Sequence, residues 1–508
     1  MLVKTDQDII KSFLEDSSNL TGGFAEAVYL PETPADLAEV IAECNSKKKT
    51  PLTISAGQTG TTGGCIPFGG KIISTQKLNK MISIDKEASS AIVEPGITLE
   101  EIEKAVAKEG LLYPPDPTEK SATIGGNVAT NAAGGRCYRF GSTRNWIRRL
   151  KLVLPNGTLL NIKRGILHAN NKNEFAMPSF NFPIPHYTMP LTKNSAGYYS
   201  KPGMDLIDLF IGSEGTLGII SEIEIGLVPT MQETFDLVVF FPSEEQAVDF
   251  VLDHKQTNRL TNQWLDKLAI SAIPSSVEGP TTQQAINFYE FFDENTLQML
   301  KSSYPLIPTP SKAAVYIEQE IFADNEKAYM DDWSQLIEKH GASLETCWLA
   351  ADDKQRKVLQ SFRHAIPEHI NEIFKQHHQV KLATDIAVPE GKFREMFNFY
   401  NDELRITNEE LMYIKFGHIG ENHLHVNLVA KKEEYFPLAK ELIMKFVRKA
   451  VELGGTVSAE HGIGKIKHSY LKEMYGKAGI INMIELKKTY DPNCILGLDN
   501  LFPRTALR

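Results

Sequence analysis

The sequence predicts a protein of mixed α and β structure with two or three domains, and three observations favour this fold class. A chain of 508 residues is longer than one ordinary hydrophobic core accommodates. The first 150 residues alternate short apolar runs, amphipathic helical segments and glycine turns, which is typical of α+β or α/β layers. Near residue 231 Gly-Gly pairs become rare and long amphipathic helices begin, which indicates a separate α+β domain.

The first domain opens with a regular succession of predicted elements. Residues 34–48 carry apolar residues at helical spacing and end in a basic run, which favours a helix C-terminus. Residues 51–54 are predicted as a buried strand, and residues 71–85 alternate like further strands. Residues 98–110 have the pattern of a helix, and Gly110 is the residue expected to end it.

The remaining segments differ in character from that succession. Residues 165–203 lack periodicity and are rich in Asn, Pro and aromatic residues, so we expect a functional lid or a disordered insertion. The second domain contains predicted helices at 353–377 and 432–453, with strands in the runs TFDLVVFF and AAVYIEQEIF. The tail, 455–508, returns to glycine and polar residues, and we expect it to pack back on the first half.

Composition and charge exclude several classes of protein. A net charge of −10 argues against nucleic acid as the main partner. We expect no secretory signal, because no positively charged start is followed by an apolar run, and the longest apolar runs are far shorter than the ~20 residues that span a bilayer. The five cysteines are scattered without CxxC spacing, which is typical of free thiols in a reducing cytoplasm. They are Cys44, Cys65, Cys137, Cys347 and Cys494.

Three glycine-rich blocks indicate a binding site formed by the backbone. The first, PLTISAGQTGTTGG at 51–64, follows a predicted strand, and backbone N–H groups of such a loop can bind a phosphate. It matches neither GxxxxGK[ST] nor GxGxxG, so by itself it is equally compatible with a plain hairpin turn. Further blocks at 114–147 and 212–220 favour an elongated ligand with a central diphosphate, such as a dinucleotide; three unrelated loops remain the alternative.

A second constellation consists of histidines and a glutamate. His423, His425 and Asn427 alternate in KFGHIGENHLHVNL, so they share one face of a predicted strand, and His418 precedes them across a turn. Further on, SAEHGIGKIK places Glu460 beside His461. Three histidines and a glutamate can hold a divalent cation with a position open for substrate, although structural histidines are an equally strong interpretation of the spacing.

Five motifs together resemble a known family: SAGQTGTTGG, PPDP…ATIGGNVATNAAG, FGSTRNWI, KNSAGY and DLFIGSEGTLGIISE. They are similar to the FAD-binding domain of the vanillyl-alcohol oxidase type, and most similar to its D-2-hydroxyacid dehydrogenase branch, which includes D-lactate dehydrogenase, the glycolate oxidase flavin subunit and D-2-hydroxyglutarate dehydrogenase. The resemblance implies an α+β fold with a two-part FAD-binding domain at 1–230. It implies a substrate (cap) domain at 231–454 and a C-terminal segment, 455–508, that packs back on the FAD domain.

The resemblance also implies where FAD binds. Residues 56–61 would surround its diphosphate, while 115–141 and 212–220 would line the remainder. Some relatives attach FAD to a histidine in the first loop, whereas this loop has Gln58, so we predict non-covalent FAD. The implied cofactor-binding residues are Ala56, Gly57, Gln58, Thr59, Gly60, Thr61, Pro115, Thr123, Gly125, Gly126, Asn127, Thr130, Asn131, Gly134, Gly135, Gly141, Glu214, Gly218, Ile219 and Asn500.

For the histidine constellation, the resemblance implies His418, His425 and Glu460 as ligands of a divalent metal, zinc or manganese. Asn427 would contact substrate and His461 would be the general base. The family usually has G-D-G-N-L-H where this chain has Gly-Glu-Asn-His-Leu-His, so His423 is an additional ligand, a group outside the first coordination sphere or a polar wall residue.

Arginines supply the expected contact with a substrate carboxylate. Arg363 lies where relatives place a substrate arginine, and a guanidinium binds a carboxylate in bidentate fashion; an exposed helix arginine is the alternative. The offset of Lys381 and the presence of Pro367 differ from hydroxyglutarate enzymes, which leaves lactate, glycolate or another 2-hydroxy acid as substrate. Three arginines near the second glycine block are expected to contact FAD phosphate, substrate or solvent: Arg136, Arg139 and Arg144.

The leading hypothesis is an FAD-dependent, cytoplasmic dehydrogenase that oxidises a D-2-hydroxy acid to the 2-oxo acid. The alternatives are a metal-dependent hydrolase, a non-catalytic flavin subunit of an electron-transfer complex and, ranked low, a flavin-dependent alkyl-glycerone-phosphate synthase. No NAD(P), haem or iron–sulfur motif is present, so we expect electrons to leave to a quinone, a cytochrome, an electron-transfer flavoprotein or oxygen. Peripheral docking on the inner face of a membrane and a homodimer stay open.

Overall fold

The computed structural model describes residues 1–46, 49–171, 173–177, 180–231, 233–266, 286–321, 326–350, 352–407 and 409–507. The chain divides into two compact units by its internal contacts. Unit 1 comprises residues 1–133, 142–230 and 456–508, and unit 2 comprises residues 134–141 and 231–455. The short segment 134–141 therefore groups with unit 2, although both of its flanks belong to unit 1.

The strands, in chain order, are β1 (Leu2–Lys4), β2 (Ala27–Leu30), β3 (Leu52–Ser55), β4 (Lys71–Ser74), β5 (Met81–Asp85), β6 (Ser90–Val93), β7 (Leu111–Leu112), β8 (Ile147–Val153), β9 (Leu159–Lys163), β10 (Glu174–Met177), β11 (Phe180–Pro183), β12 (Ile219–Gly226), β13 (Val228–Pro229), β14 (Glu233–Phe241), β15 (Ile286–Asp293), β16 (Ala313–Ile321), β17 (Trp348–Ala350), β18 (Ile386–Ala387), β19 (Leu411–Gly417) and β20 (His423–Ala430).

The helices are α1 (Gln7–Lys11), α2 (Pro34–Cys44), α3 (Leu99–Ala107), α4 (Ile124–Thr130), α5 (Cys137–Phe140), α6 (Leu206–Phe210), α7 (Glu244–Asp266), α8 (Glu294–Leu300), α9 (Glu326–Lys339), α10 (Asp353–Gln376), α11 (Phe393–Ile406), α12 (Phe436–Glu452) and α13 (His468–Tyr490). In the described part of the chain, no helix is long and apolar enough to cross a membrane.

Unit 1 contains, within its described residues, a four-stranded sheet in the order β1-β2-β4-β3, with β2, β4 and β3 parallel. Helix α2 starts where Thr33 and Asp36 form a reciprocal capping box, with Pro34 in the first turn. Its buried face packs with Leu52 and Ile73 into one core. The predicted helix at 34–48 and strand at 51–54 are confirmed, although the helix ends at Cys44.

A second sheet of unit 1 is antiparallel, in the order β5-β6-β12-β8-β9. Helix α3 again starts with a capping box, formed by Thr98 and Glu101, and Gly110 follows it with a φ of +73°. The C-terminal tail joins the first sheet directly, because Leu52 N donates to Ile495 O at 2.7 Å and Gly497 N donates to Leu52 O at 2.9 Å. The tail is thus part of the core of unit 1.

Unit 2 is built on an antiparallel sheet with the strand order β17-β14-β16-β15-β19-β20-β18 among its described residues. Strands β14, β15 and β16 are buried along nearly their whole length, which explains their continuous apolar runs. Helix α10 covers one face through Phe362, Ile366 and Phe374, which join the core of the sheet. The strands and long helices predicted for this region are confirmed.

The stretch 165–203, predicted as a lid or a disordered insertion, contains an antiparallel pair of short strands, β10 and β11, in unit 1. Residues 172, 178 and 179 of this stretch lie outside the described residues. Its C-terminal part is tied down by hydrogen bonds, including Ser195 N to Ser458 O at 2.9 Å. The described part is therefore anchored to the tail of unit 1.

Candidate cofactor and substrate sites

A cleft opens in unit 1, with about 1050 Å³ of empty space when the part open to solvent is included, and we call it the unit 1 cavity. All three glycine blocks contribute to its lining, together with the tail residue Asn500. Most of this wall consists of backbone and small side chains, as expected for a chain that gives up packing so that a ligand can approach closely.

Two buried side-chain atoms in this wall have no hydrogen-bond partner in the part of the chain that the structure describes. Among the described residues, nothing hydrogen-bonds to Thr123 Oγ1 or Asn127 Nδ2, although both atoms are buried. Both residues line the unit 1 cavity. Because a buried polar group without a partner costs about 1–3 kcal/mol, these atoms indicate a polar ligand in the cavity.

One glycine of the tail, Gly464, lies close against the backbone of the first glycine block. Gly464 has a φ of +51°, and a Cβ placed there would lie 2.1 Å from Thr62 O. In the same contact, Lys465 N donates to Thr62 O at 2.9 Å. Any larger residue at 464 would push the tail away from the first glycine loop.

Fourteen of the twenty residues predicted to bind FAD line the unit 1 cavity: Ala56, Gly57, Gln58, Thr59, Gly60, Thr123, Gly125, Gly126, Asn127, Thr130, Glu214, Gly218, Ile219 and Asn500. The lining does not include Thr61, Pro115, Asn131, Gly134, Gly135 or Gly141.

Structural roles account for several of the six exceptions. Asn131 Oδ1 accepts hydrogen bonds from Ser142 Oγ and Arg144 N, both at 3.0 Å. Its side chain therefore fixes the segment 142–144. Gly134, Gly135 and Gly141 belong to unit 2. A Cβ at Gly135 would lie 2.9 Å from Arg363 Nη2, so this glycine makes room for an arginine.

Gln58, the residue on which the prediction of non-covalent FAD rests, is held by the N-terminal segment. Its Nε2 donates to Ser12 O and to Glu15 O, both at 2.8 Å. The side chain therefore fixes the first glycine loop against residues 12–15. Its amide is not a group that forms a covalent bond with a flavin, so non-covalent binding stays our prediction.

Glu214 lies at the junction of the third glycine block and the tail. Its carboxylate accepts hydrogen bonds from Ile463 N and Gly464 N, both at 2.7 Å. Burial raises the pKa of Glu214 to about 7, although the two N–H donors and Lys465 act in the opposite direction. This carboxyl group fixes the loop that carries Glu460 and His461.

The loop around Glu460 is also bound to the KNSAGY motif of unit 1. Lys193 Nζ forms an ion pair with Glu460 Oε1, and these side chains are only 6% and 8% exposed. Gly462 N donates to Ser195 Oγ at 3.1 Å. Sequence reasoning identified KNSAGY only as part of the resemblance, and it did not identify Lys193 as the partner of the predicted ligand Glu460.

In unit 2, the hairpin β19–β20 brings three histidines together. We call His418, His423 and His425 the histidine cluster. Their ring centroids are 4.4 Å apart for His423 and His425, and 5.2 and 5.6 Å from His418 to the same two rings. One ring nitrogen of each lies within 4.8 Å of the others. The strand and turn predicted for 415–428 are confirmed, and Asn427 is buried on the same strand.

A buried lysine fixes the turn between the first two histidines. Lys255 Nζ donates to Gly420 O at 2.6 Å and to Asn422 Oδ1 at 3.1 Å. Asn422 adopts a φ of +57°, a conformation that asparagine tolerates better than most residues. The sequence analysis did not identify Lys255, because helix α7 lies more than 150 residues earlier in the chain.

Each histidine has an oxygen beside one ring nitrogen. Glu290 Oε1 lies 2.8 Å from His418 Nδ1, and Thr384 O lies 3.2 Å from His425 Nδ1. Asp385 Oδ1 lies 3.3 Å from His423 Nε2. This arrangement is typical of metal-binding histidines, whose second nitrogen is oriented by a carboxylate or a carbonyl.

Glu290 also pairs with the arginine predicted to bind substrate. Its Oε1 accepts from Arg363 Nε at 3.0 Å and from Arg363 Nη2 at 2.7 Å. Burial alone raises the pKa of Glu290, but the charge of Arg363 and the contact with His418 outweigh it and hold this pKa at about 2. The Arg363 side chain is 10% exposed, so the alternative of an exposed helix arginine is wrong.

The three arginines near the second glycine block, Arg136, Arg139 and Arg144, have carboxylate partners and are largely buried, so the expectation of solvent exposure is wrong. Arg136 Nε lies 3.1 Å from Glu318 Oε1, and Arg139 Nη2 lies 2.6 Å from Glu320 Oε2, both within unit 2. In unit 1, Arg144 Nη1 lies 3.1 Å from Asp208 Oδ1. None of the three lines the unit 1 cavity as described.

The comparisons with known proteins agree with this fold and cavity. Residues 25–163 match the FAD binding domain, and residues 231–497 match the C-terminal domain of FAD linked oxidases. The chain belongs to the FAD-linked oxidases of the vanillyl-alcohol oxidase type. The FAD in the sequence prediction is thereby confirmed, and the orphaned polar atoms of the unit 1 cavity fit such a cofactor.

Within that family, the resemblance to the D-2-hydroxyacid dehydrogenase branch is confirmed. A D-lactate dehydrogenase of Anaerostipes hadrus is 29% identical, over 97% of this chain and 93% of the relative. The glycolate oxidase subunit GlcD of Bacillus subtilis is 28% identical, over 95% of this chain and 90% of the relative.

A solved structure supports the fold alone. The 4-ethylphenol oxidase from Gulosibacter chungangensis has a TM-score of 0.69 and 16% identity, over 99% of this chain and 95% of that structure. The predicted α+β fold of the vanillyl-alcohol oxidase type is confirmed.

Proposed function

We propose that this protein is an FAD-dependent dehydrogenase that oxidises a small D-2-hydroxy acid, similar to D-lactate, to the 2-oxo acid. The observation that carries the proposal is the pairing of Arg363 with Glu290, which also contacts His418. One buried carboxylate thereby holds a carboxylate-binding group beside a metal-binding group. These are the two groups that a 2-hydroxy acid requires, and the relatives named above act on hydroxy acids of this kind.

In unit 1, the cavity would hold FAD through the first glycine loop, Thr123, Asn127 and Asn500. FAD, when bound, accepts the hydride that leaves the α-carbon of the substrate. The chain contributes a preformed wall and hydrogen-bond donors such as Asn127 Nδ2. We propose that the cofactor is held without a covalent bond, because Gln58 stands in the first loop.

A divalent metal would be held by His418 and His425, with Glu460 as the third ligand that the resemblance implies. Such a metal, when bound, polarises the substrate hydroxyl group and lowers its pKa. Glu290 and Thr384 O keep the proton of each histidine on Nδ1, so Nε2 is the atom able to donate a lone pair. Lys193, the partner of Glu460, would compensate the charge of that carboxylate.

His461 would take the hydroxyl proton as general base, since a histidine pKa lies near the working pH. Its loop is fixed by Glu214 and by Ser195, which restricts the movement of the base. Arg363 would bind the substrate carboxylate, and Asn427 would contact the substrate from strand β20. Because Glu290 already compensates part of the charge of Arg363, a monocarboxylate is a better match than a dicarboxylate.

The proposal also covers the organisation of the protein. We propose an FAD-binding domain at 1–230 completed by residues 455–508, with the substrate domain at 231–454. Electrons would leave to a quinone, a cytochrome or an electron-transfer flavoprotein, and the protein would work in the cytoplasm or on the inner face of the membrane.

The test is anaerobic reduction of the bound flavin. The purified holoprotein is mixed with D- and L-enantiomers of lactate, of 2-hydroxybutyrate and of 2-hydroxyglutarate, and with glycolate, and the absorbance of oxidised flavin is followed. We expect the D-enantiomers of the small acids to bleach the flavin, with 2-hydroxyglutarate much slower. Bleaching by the L-enantiomers alone, or by none of these acids, would contradict the proposal.

Covalent attachment is tested on the same preparation. After acid precipitation, we expect the flavin in the supernatant, because Gln58 provides no linkage. Flavin that stays with the pellet would contradict non-covalent binding.

A further inference from the structure

We propose that His423 is a ligand of the metal, so that the centre has three imidazole ligands from unit 2: His418, His423 and His425. This inference rests on the proposed function, which needs a metal at this place but assigns only two of the three histidines. It selects one of the three roles that the sequence left open for His423.

The first argument is the burial of His423 without hydrogen bonds. Its side chain is 0% exposed, and no described residue forms a hydrogen bond with either of its ring nitrogens. In a neutral imidazole one ring nitrogen is a hydrogen-bond donor and the other an acceptor, and water would satisfy both. Burying either nitrogen without a partner therefore costs about 1–3 kcal/mol. Coordination of one nitrogen to a metal would remove part of this cost.

The second argument is geometric. One ring nitrogen of His423 lies within 4.8 Å of a ring nitrogen of His418 and of His425. Two imidazole nitrogens bound to one zinc ion at about 2.0–2.1 Å are separated by at most about 4.2 Å, and by less in a tetrahedral site. The cluster therefore needs only small rotations of the rings to bind one ion.

The third argument is the environment of the ring. Asp385 Oδ1 lies 3.3 Å from His423 Nε2, close to hydrogen-bond distance, and Asp385 itself is buried. A small rotation would give the Nε2–H···Oδ1 hydrogen bond that orients a metal-bound histidine, which leaves Nδ1 as the ligand atom. His423 would then match His418 and His425, each of which already has an oxygen beside its non-ligating nitrogen.

A third imidazole changes which metal is favoured. Imidazole nitrogen suits zinc, copper, iron and nickel, whereas carboxylate and water ligands suit magnesium, calcium and manganese. With three histidines the centre would prefer zinc over manganese, the two metals that the sequence left open. His423 would thus be a determinant of metal selectivity.

The test is metal titration without substrate. FAD-loaded protein is stripped with a chelator and titrated with Zn²⁺, and separately with Mn²⁺, in competition with a chromophoric chelator. The variant is His423→Asn, and the matched control is His369→Asn, a histidine of unit 2 whose Nδ1 lies 2.8 Å from Ala365 O on its own helix.

Loss of a contact outside the first coordination sphere lowers metal affinity by about 10–100-fold. We expect His423→Asn to lower zinc affinity by more than this, and to lower manganese affinity less than zinc affinity. His369→Asn should bind zinc like the wild type. Equal zinc affinity of His423→Asn and the wild type would overturn the inference, as would a wild-type protein that takes up no zinc. Because no substrate is present, these outcomes are independent of flavin bleaching.

A second measurement needs no variant. X-ray absorption at the zinc edge of the wild-type holoprotein counts imidazole ligands through their outer-shell scattering. Three imidazoles support the inference, and two or fewer contradict it.

Discussion

The unit 1 cavity and the histidine cluster of unit 2 are built from different parts of the polypeptide. The cavity wall consists largely of backbone and small residues, with few side chains that act on a ligand. The histidine cluster depends on side chains held by other side chains: Glu290 contacts His418, and Asp385 lies beside His423. Under the proposed function, the cofactor would be held by the shape of the loops, whereas the substrate would be activated by a set of matched charges.

The same contrast is seen in the pKa values of two buried glutamates, one in each unit. Glu214 accepts hydrogen bonds from backbone N–H groups, and burial raises its pKa to about 7. Glu290 is as deeply buried, but Arg363 and His418 overcome the effect of burial and hold its pKa at about 2. Full cationic partners, and not depth, decide whether a buried carboxyl group stays ionised.

The largest effect is expected at the proposed general base. His461→Ala should lower turnover by about 10²–10⁴. The content of bound FAD should stay unchanged, because Glu214 fixes the loop through the backbone of Ile463 and Gly464. Steady-state kinetics and the flavin absorbance check both points. Turnover close to that of the wild type would remove His461 from the mechanism, and loss of FAD would show that the loop depends on its side chain.

Glu290→Gln tests the charge on which the histidine cluster and Arg363 depend. The variant keeps the shape and one acceptor but loses the negative charge between Arg363 and His418. We expect zinc affinity to fall by about 10–100-fold and the KM for the hydroxy acid to rise.

The control for Glu290→Gln is Glu294→Gln, an exposed glutamate of helix α8 that pairs with Lys312. It should leave both quantities unchanged. If Glu290→Asp, which keeps the negative charge, binds zinc more tightly than Glu290→Gln, the result supports a charge effect. Zinc affinity and KM that are unchanged in Glu290→Gln would contradict it.

A smaller effect, on stability, is expected in unit 1 from a pair of glycine variants. Gly464 and Gly203 have similar positive φ values, +51° and +67°, but only Gly464 has a close neighbour, Thr62 O. Gly203→Ala should cost about 1–2 kcal/mol for the left-handed conformation alone. Gly464→Ala should cost more and also lower FAD content, as measured by thermal unfolding and flavin absorbance. Equal losses would show that close approach at Gly464 is unimportant.

The last effect is a pH dependence of stability that comes from Glu214. Its pKa of about 7 in the folded protein exceeds its ordinary value of 4.5, so the folded state binds more protons between these values. Its contribution is complete below about pH 4.5 and is lost as the pH rises through 7, with an amplitude of about 3 kcal/mol or less. Glu214→Gln should remove this slope from the melting temperature, and an unchanged slope would contradict the raised pKa.

The same contrast explains how much could be predicted from the sequence. Backbone loops depend on local residues, so the glycine blocks predicted most of the cavity wall, including Gly57, Gly126 and Gly218. Asn131 and Gly135, which were also predicted to bind FAD, do not line the cavity, and each has a structural contact: a hydrogen bond from Arg144 N at Asn131 and the neighbouring Arg363 at Gly135.

Side-chain partners were largely not predictable. Strand β15, the residue before β18 and helix α7 bring Glu290, Asp385 and Lys255 to the histidine cluster, and no local pattern marks them. For the same reason the sequence did not show that Arg136 and Arg139 pair with Glu318 and Glu320 of strand β16. The strand period was a signal for His423 and His425, because it places alternate residues on one face. His418 was predicted from its position just before the turn that leads into this strand.

The most direct test of the account separates cofactor retention from substrate activation. The holoprotein is stripped of metal by a chelator, its flavin absorbance is recorded, and D-lactate is added anaerobically before and after Zn²⁺ is restored. We predict that the metal-free protein keeps its FAD, is not bleached by D-lactate, and is bleached once zinc is returned. Bleaching of the metal-free protein at the rate of the untreated protein would contradict the account.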